Sequence, residues 1–534
     1  MNASIKTAAS ASSARLADGL DTAGSGKLFD SACRTIPGGV NSTARATWSG
    51  WNPYPLFVQG GTGSHLTDVD GNAYIDYLLG LGPMLLGHRP PRVTQAVVDF
   101  IQQRGTVFAL PTADEAKLAG KIIAAVPSVE QVRLCNTGTE AVLYATRLAR
   151  AFTRRPKLIR FEGMYHGFSD QVYWSKHPDI AKAGPDAHPL PVPQGPGLPH
   201  GLDGNLIILP WNDVDALADA IRREGDAIAA VITEPVMCNT GCILPKPGYL
   251  ETMRELTARH GIVLLFDEVI TGFRLGLGGA QARLGVKPDL SVFAKGLGGG
   301  FPVAACGGRA DIMALVANGT VSMAGTYAAN GIAIAAANAA LDELATPGLF
   351  AKLDAISDEL RAGLAKVLDD AGLPAYVVGV GPLMQVWFAR EAIHNYRDAE
   401  RHADQKLFDR WWRGMLARGV LFHPGAYENL FVSTAHTAPT SRRHWSRRKR
   451  LRRSLHAASE CRQRHDLVDA TPLAGKGRCM NLPAATTRRH AFCIGDERSG
   501  ASRTGGCARA LQAARLTGKK PLAIRNIGGL IVIP

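Results

Sequence analysis

The chain has 534 residues, 46% of them hydrophobic, which is enough to bury a large core spread over about two to four domains. No apolar run reaches the roughly 18 residues that span a bilayer. No signal-type apolar stretch opens the chain, and its nine cysteines lack paired spacing. This argues against a membrane-spanning, secreted or disulfide-built protein, and a cytoplasmic one is expected. The net charge of +14 resembles a nucleic-acid signal until it is located: residues 438–534 hold 21 Lys/Arg against 5 Asp/Glu, and residues 1–437 hold 39 against 41.

In chain order, residues 1–27 are Ala/Ser-rich and read as a flexible or loosely helical tail. Residues 28–91 form a mixed segment with a turn at Pro37-Gly38-Gly39. Within it, residues 64–77 alternate around Asp70-Gly71, the signal of a hairpin with a two-residue turn. From 92 to 335, helical periods over residues 93–104, 114–126, 139–150, 214–224 and 249–260 alternate with short β-rich runs. These runs end at Asn136, Gly163, Trp211, Pro235, Val269 and Gly296. Near-continuous apolar runs are strands covered on both faces. Their alternation with helices predicts a large α/β domain built on a doubly wound, mostly parallel sheet, with ligands beyond the C-terminal strand ends. Residues 336–437 read as a smaller α+β domain. A helix runs to about Leu344, Pro347-Gly348 breaks it, and a second helix covers 349–368. Two strand-like runs and a helix over 404–418 follow.

The chemistry-bearing residues lie at strand ends. "LLFDEVITGF" delivers Asp267 and Glu268, and 28 residues after Asp267 "LSVFAKGLGGG" delivers Lys295 into a glycine-rich turn. Taken singly, these are a snorkelling lysine and an acidic helix cap. Taken together, they supply an amine that can bond to a carbonyl carbon once desolvation activates it, and a carboxylate that can keep a pyridine nitrogen protonated. A protonated pyridine ring is an electron sink.

"FDEVITGFR" with "FAKGLGGGFP" resembles the signature of class III aminotransferases, which use pyridoxal 5'-phosphate (PLP). "CNTGTEAV" is similar to that family's phosphate loop, whose helix N-terminus, here Gly138 and Thr139, favours an anion. "GMYHG" resembles the motif whose aromatic residue, Tyr165, stacks on the cofactor ring, followed by His166. "ITEPV" carries Glu234, and "GTYAANG" resembles the segment whose Gly325 and Thr326 reach the partner subunit's phosphate in a homodimer. The resemblance implies an aspartate-aminotransferase-like (fold type I) PLP-dependent transferase with Lys295 as Schiff-base lysine and Asp267 on the ring nitrogen. Both are catalytic in that reading. The implied cofactor set comprises Gly138, Thr139, Tyr165, His166, Glu234, Asp267, Val269, Lys295, Gly325 and Thr326, with no metal.

Flanking segments point to one branch. "IPGGVNSTARA" is similar to the N-terminal motif of glutamate-1-semialdehyde 2,1-aminomutases, where a Ser and an Arg hold the substrate carboxylate. Ser42 and Arg45 match, and a planar guanidinium suits the role. "ARGVLFHPGAYENLFVSTAHT" also resembles the aminomutase, and the resemblance implies a substrate-side role for Glu428, with Asn239 in the same set. The resemblance covers about residues 28–437. It implies a small amino/oxo substrate bearing a carboxylate, no membrane partner and no nucleic acid. Two departures keep an intermolecular aminotransferase, with a keto acid acceptor, open as the alternative. Residues 168–201 are Pro-rich, carry Tyr173 and Trp174, and lack the aminomutase gating-loop pattern "AGSG". "STARA" stands for the usual "SPVRA".

Residues 438–534 are Arg-rich, without helical or strand period, and hold Cys461, Cys479, Cys493 and Cys507. They read as a phosphate-neutralising nucleic-acid tail, as a disordered extension, or as out-of-frame translation of a GC-rich gene. The third is favoured because one choice of codons for residues 438–445, shifted by two bases, restores a helix start. The rival reading of the whole chain, a nucleic-acid-binding protein on a degenerate enzyme scaffold, is disfavoured by the intact ordered motifs.

Overall fold

A computed structural model describes residues 16–437 and the backbone of residues 522–526 and 529–533. The N-terminal segment builds an antiparallel sheet of β1 (Val58–Thr62), β2 (His65–Asp68) and β3 (Ala73–Asp76). The hairpin between β2 and β3 forms as expected, but its turn is longer by one residue. The Asp68 N–H donates to Asn72 O at 3.1 Å, leaving residues 69–71 as a three-residue loop with Gly71 at φ +85°. The Asp68 carboxylate causes the extension by accepting the N–H groups of Asp70 and Asn72 at 3.0 and 2.8 Å.

Residues 16–26, read from the sequence as part of a tail, are packed. Leu16 and Ser25 are fully buried, and the helix Ala23–Ala32 crosses residue 27. Polar capture holds them. Asp70 accepts the Ser25 N–H and hydroxyl at 2.9 Å each, and Arg413 Nη1 donates to Leu16 O at 2.8 Å.

Seven strands make the central sheet: β4 (Gln131–Cys135), β5 (Lys157–Phe161), β6 (Leu206–Leu209), β7 (Ile228–Thr233), β8 (Val263–Asp267), β9 (Leu290–Phe293) and β10 (Ala304–Gly308). Their order is β4-β10-β9-β8-β7-β5-β6. Strands β5 to β9 are mutually parallel, and β7 to β9 are buried along their whole length. Helices Gly138–Thr153, Val214–Glu224 and Tyr249–Arg259 connect and cover them close to the expected bounds. Strand β10 is the addition that the sequence reading lacked. It runs antiparallel to both β4 and β9. Its residues AACGG carry no β-branched side chain, because its neighbours leave no room: a Cβ on Gly308 would lie 2.2 Å from Asp289 O.

The helix Gly331–Leu344 packs against Pro91–Gln103 and Ala113–Ala125, and Leu349–Asp370 packs on a second small sheet. That sheet pairs β11 (Tyr376–Val380) with β12 (Leu383–Trp387). A short strand β13 (Val420–Leu421) runs parallel to β3, and β14 (Leu430–Phe431) pairs with β12. The helix Gln405–Leu416 starts at Asp404, whose carboxylate accepts the Leu407 N–H at 2.9 Å. The helix Tyr396–His402 has no counterpart in the sequence reading. Residue 335, taken as a domain boundary, lies inside a continuous helix.

The second unit of the chain, Val468–Pro534, is described only by an antiparallel pair, β15 (Leu522–Asn526) and β16 (Gly529–Ile533). The three readings of residues 438–534 otherwise lie outside the described residues. Among the described residues, no helix is long and apolar enough to cross a membrane, and no cluster of metal-ligating side chains occurs.

Candidate active site

The C-terminal ends of β4, β5, β7, β8 and β9 converge on one cavity of about 220 Å³. Thr137, Gly138, Thr139, Tyr165, His166, Glu234, Asn239, Asp267, Val269 and Lys295 all line it. Most of the expected cofactor residues therefore meet, as the strand-end rule requires.

Strand β4 hands the chain to the helix Gly138–Thr153 through a capping box. Thr137 Oγ1 accepts the Glu140 N–H at 3.1 Å, and the Glu140 carboxylate accepts the N–H groups of Asn136 and Thr137 at 2.7 and 3.0 Å. Gly138 and Thr139 come next, and their N–H groups have no protein acceptor among the described residues. A helix N-terminus with free N–H groups favours an anion. The Thr-x-x-Glu spacing was the sequence signal that could have identified Glu140.

Strand β8 ends in Asp267. Its Oδ2 lies 2.7 Å from His166 Nδ1, and its Oδ1 accepts the Val269 N–H at 3.1 Å. A carboxylate only accepts, so Nδ1 carries the proton. His166 Nε2 is buried without a protein partner. The neighbouring Glu268 points away from the cavity. It accepts from the Thr271 hydroxyl (2.9 Å), the Ala280 N–H (2.6 Å) and the Gln281 side-chain amide (2.9 Å), and so pins the following loop.

Lys295 follows β9 in the left-handed backbone region, at φ +44°. Such a backbone is costly for a lysine and is kept where the surroundings impose it. Burial pushes its ammonium below the ordinary lysine range, and Glu428 is the main carboxylate pulling the other way. Glu234, at the end of β7, is a clamp. Its Oε1 accepts from Tyr165 N–H (3.0 Å) and Asn239 Nδ2 (2.9 Å), and its Oε2 accepts from the Cys238 and Asn239 N–H groups at 2.7 and 3.1 Å. The Asn239 amide nitrogen, expected to meet substrate, is thereby engaged with Glu234.

Ser42 precedes and Arg45 ends a short turn, Thr43–Arg45, that does not line the cavity. Trp51 Nε1 donates to Ala44 O at 3.0 Å, and His423 Nε2 lies 3.1 Å from the same oxygen. The turn is thereby fastened to the segment that leads to Glu428. Arg45 is exposed. Gly325 and Thr326 are not brought to Lys295 within one chain. They line a separate cavity of about 620 Å³, with Asn136, Tyr144 and the exposed Phe108 and Leu110.

The unusual residues 168–201 are firmly tied. Fully buried Arg160 donates to the carbonyls of Met164, Val172 and Trp174. Buried Arg397 grips Glu162 through two bonds of 2.7 and 2.9 Å, and reaches Asp186 (2.7 Å), Gly184 O (2.8 Å) and Ala183 O (2.9 Å). Removing one partner of a buried pair strands the other charge. Arg397→Met is therefore expected to cost about 3–5 kcal/mol of stability, read as a lower denaturant midpoint, and adding Glu162→Leu should recover most of it. A midpoint unchanged in the single variant would show that the pair holds nothing.

Residues 48–425 match the model of the family described as aminotransferase class-III. A glutamate-1-semialdehyde 2,1-aminomutase 2 from Brevibacillus brevis is 43% identical over 413 residues, covering 77% of this chain and 94% of that relative. A glutamate-1-semialdehyde 2,1-aminomutase from Desulforudis audaxviator is 44% identical over 414 residues, with the same shares. Among solved structures, an omega-transaminase from Sphaerobacter thermophilus superposes with a TM-score of 0.74 at 34% identity, covering 78% of this chain and 94% of that one. A Pseudomonas aeruginosa PAO1 glutamate-1-semialdehyde-aminomutase in complex with PMP gives 0.71 at 27% identity, covering 81% and 94%.

Proposed function

We start from a chain that belongs to the aminotransferase class-III family, a PLP-dependent enzyme, and propose that it converts glutamate-1-semialdehyde to 5-aminolevulinate by moving the amino group within one carbon skeleton. The observation that carries this reading is that Lys295 and the Asp267–His166 pair line one cavity from adjacent parallel strands. The substrate comes from curated relatives that are 41–44% identical.

The cavity residues fit the cofactor. Two free N–H groups at a helix N-terminus suit a phosphate, a buried carboxylate backed by histidine suits a ring nitrogen, and an amine faces the same space. PLP, when bound, supplies an electron sink for negative charge at the substrate carbon that carries nitrogen. In this reading Gly138 and Thr139 hold the phosphate, and the Tyr165 ring forms a wall. Asp267 keeps its charge toward the ring nitrogen while His166 fixes the orientation of the carboxylate. Lys295 Nζ, biased by burial toward its neutral form, takes the proton from the substrate carbon and returns it one position away. Arg45 and Ser42 receive the substrate carboxylate, with Glu428 and Asn239 beside them.

The family resemblance also supports a homodimer in which Gly325 and Thr326 serve the partner's cofactor. The exposed Phe108, Leu110 and Tyr327 around that segment suit an interface. We assign the enzyme to the cytoplasm because the five described cysteines are all free thiols.

A second reading, transfer between two molecules, is favoured by the omega-transaminase likeness and by the tied residues 168–201. Incubating the holoenzyme with glutamate-1-semialdehyde alone separates the two. Stoichiometric 5-aminolevulinate is expected. Absence of product until a separate amino donor and keto acid are added would overturn the mutase.

A further inference from the structure

Arg274 is a fully buried cation whose described hydrogen bonds all run to main-chain carbonyls. Its Nη1 donates to Val432 O at 3.1 Å, its Nη2 donates to Gly82 O, and its Cζ stands 4.9 Å from the centroid of the Phe431 ring. Its Nε is buried without a protein partner. A buried charge held only by neutral groups is costly, and burial pushes this guanidinium down to about 9.

The two carbonyls belong to the segments that wall the Lys295 side chain. Gly82 has φ +109°, and a Cβ there would lie 3.6 Å from Lys295 Cδ and 3.1 Å from Phe431 Cε1. The lysine methylenes and the edge of the Phe431 ring therefore both face Gly82 at close range. Phe431 is held from its own side as well, since its N–H donates to Tyr77 O at 2.8 Å.

The backbone of Arg274 is fixed to the strand that delivers the same lysine. The Gly272 N–H donates to Glu268 O at 2.8 Å, and the Arg274 N–H donates to Thr271 O at 3.2 Å. The Phe273 ring meets that of Phe293, in β9, with centroids 5.5 Å apart. A Cβ on Gly296, the residue after Lys295, would lie 3.4 Å from Gly272 O. Residues 272–274 thus touch β9 on either side of Lys295, while the arginine side chain grips the wall that its methylenes face.

We propose that Arg274 is a positioning residue for Lys295: it holds Gly82 and Phe431 against the methylene chain and so confines Nζ to the path along which it moves the proton. This rests on the reading of Lys295 as the amine that moves the proton, and it adds the residue that sets the reach of that amine. The planar fork of a guanidinium bonds two carbonyls in one fixed geometry, which the single ammonium of a lysine does not reproduce. Rate is sensitive to such placement, since a displacement of about 1 Å costs about 100-fold.

The test compares the holoenzyme with Arg274→Lys, which keeps the charge and loses the fork, and with Phe431→Leu, which keeps both carbonyl bonds and removes the ring edge facing Gly82. At equal cofactor content, Arg274→Lys is expected to lower kcat for glutamate-1-semialdehyde by about 10- to 100-fold, with KM within about twofold of wild type. Phe431→Leu is expected to lose less, about 3- to 10-fold, again in kcat. The circular dichroism of the visible cofactor band, per bound cofactor, reads how firmly the lysine holds the cofactor without turnover, and it should weaken in both variants. An arginine that only braces the fold would lower the melting temperature and leave kcat and the dichroism where they were. A kcat within about twofold of wild type in both variants would overturn the proposal, as would a loss carried by KM. Should Arg274→Lys not fold, Phe431→Leu decides alone. If the wild type makes no 5-aminolevulinate, the mutase reading fails and the dichroism decides the role of Arg274, an unchanged band in both variants overturning it.

Discussion

Turnover by the Lys295→Ala variant is expected to fall by at least about 10⁴-fold. Among the residues lining the cavity there is no second lysine, and the one histidine there, His166, has its Nδ1 engaged by Asp267 at 2.7 Å. No neighbour can take over as the amine that bonds to the cofactor or as the base that moves the proton. A proton-transfer group contributes about 10²–10⁴-fold, and loss of the covalent attachment adds to that. The fold should survive, because the substitution removes an ammonium that burial already disfavours. The melting temperature is expected to stay near that of the wild type, so lost turnover cannot be ascribed to unfolding. Borohydride reduction followed by mass spectrometry gives a second readout: the wild type should carry one cofactor mass on the peptide containing Lys295, and the variant none. Turnover within tenfold of wild type would overturn the assignment.

The central sheet was legible because its parallel strands are buried on both faces and therefore written as continuous apolar runs ending at Thr233, Asp267 and Phe293. Strand β10 was not, since its AACGG carries neither alternation nor β-branched residues and is a strand only by virtue of what lies beside it. The packed residues 16–26 escaped for a related reason: the carboxylate that captures them, Asp70, sits in a distant turn. The site follows the same division. Lys295 and Asp267 could be named because each ends a legible strand and has a residue type with few other uses there. The Asp267–His166 hydrogen bond spans 101 residues, and the grip of Arg274 on Gly82 and Val432 depends on tertiary ties that no local pattern encodes. Arg397, which holds the 168–201 stretch, lies in the helix that the sequence reading lacked.

Asp267→Asn tests the electrostatic half of the mechanism without emptying the site. An asparagine has nearly the shape of the aspartate. Its amide oxygen can still accept from His166 Nδ1–H, which keeps the 2.7 Å contact at the expense of the Val269 N–H bond, while the negative charge is lost. An opposite charge at this range raises the pKa of a cationic nitrogen by about 1–3 units, so the protonated fraction of the ring above its new pKa should fall by about 10- to 10³-fold. Because that protonated form is the one that accepts negative charge from the substrate carbon, kcat should fall over the same range, about 10- to 10³-fold. The phosphate-binding end of the cavity, Gly138 and Thr139, is untouched by the substitution, so cofactor should still copurify. The loss should be smaller than for Lys295→Ala, since the amine that carries the proton remains. A variant with near-normal kcat would show that Asp267 serves only to orient His166, and a variant that fails to retain cofactor would assign it to binding rather than to rate.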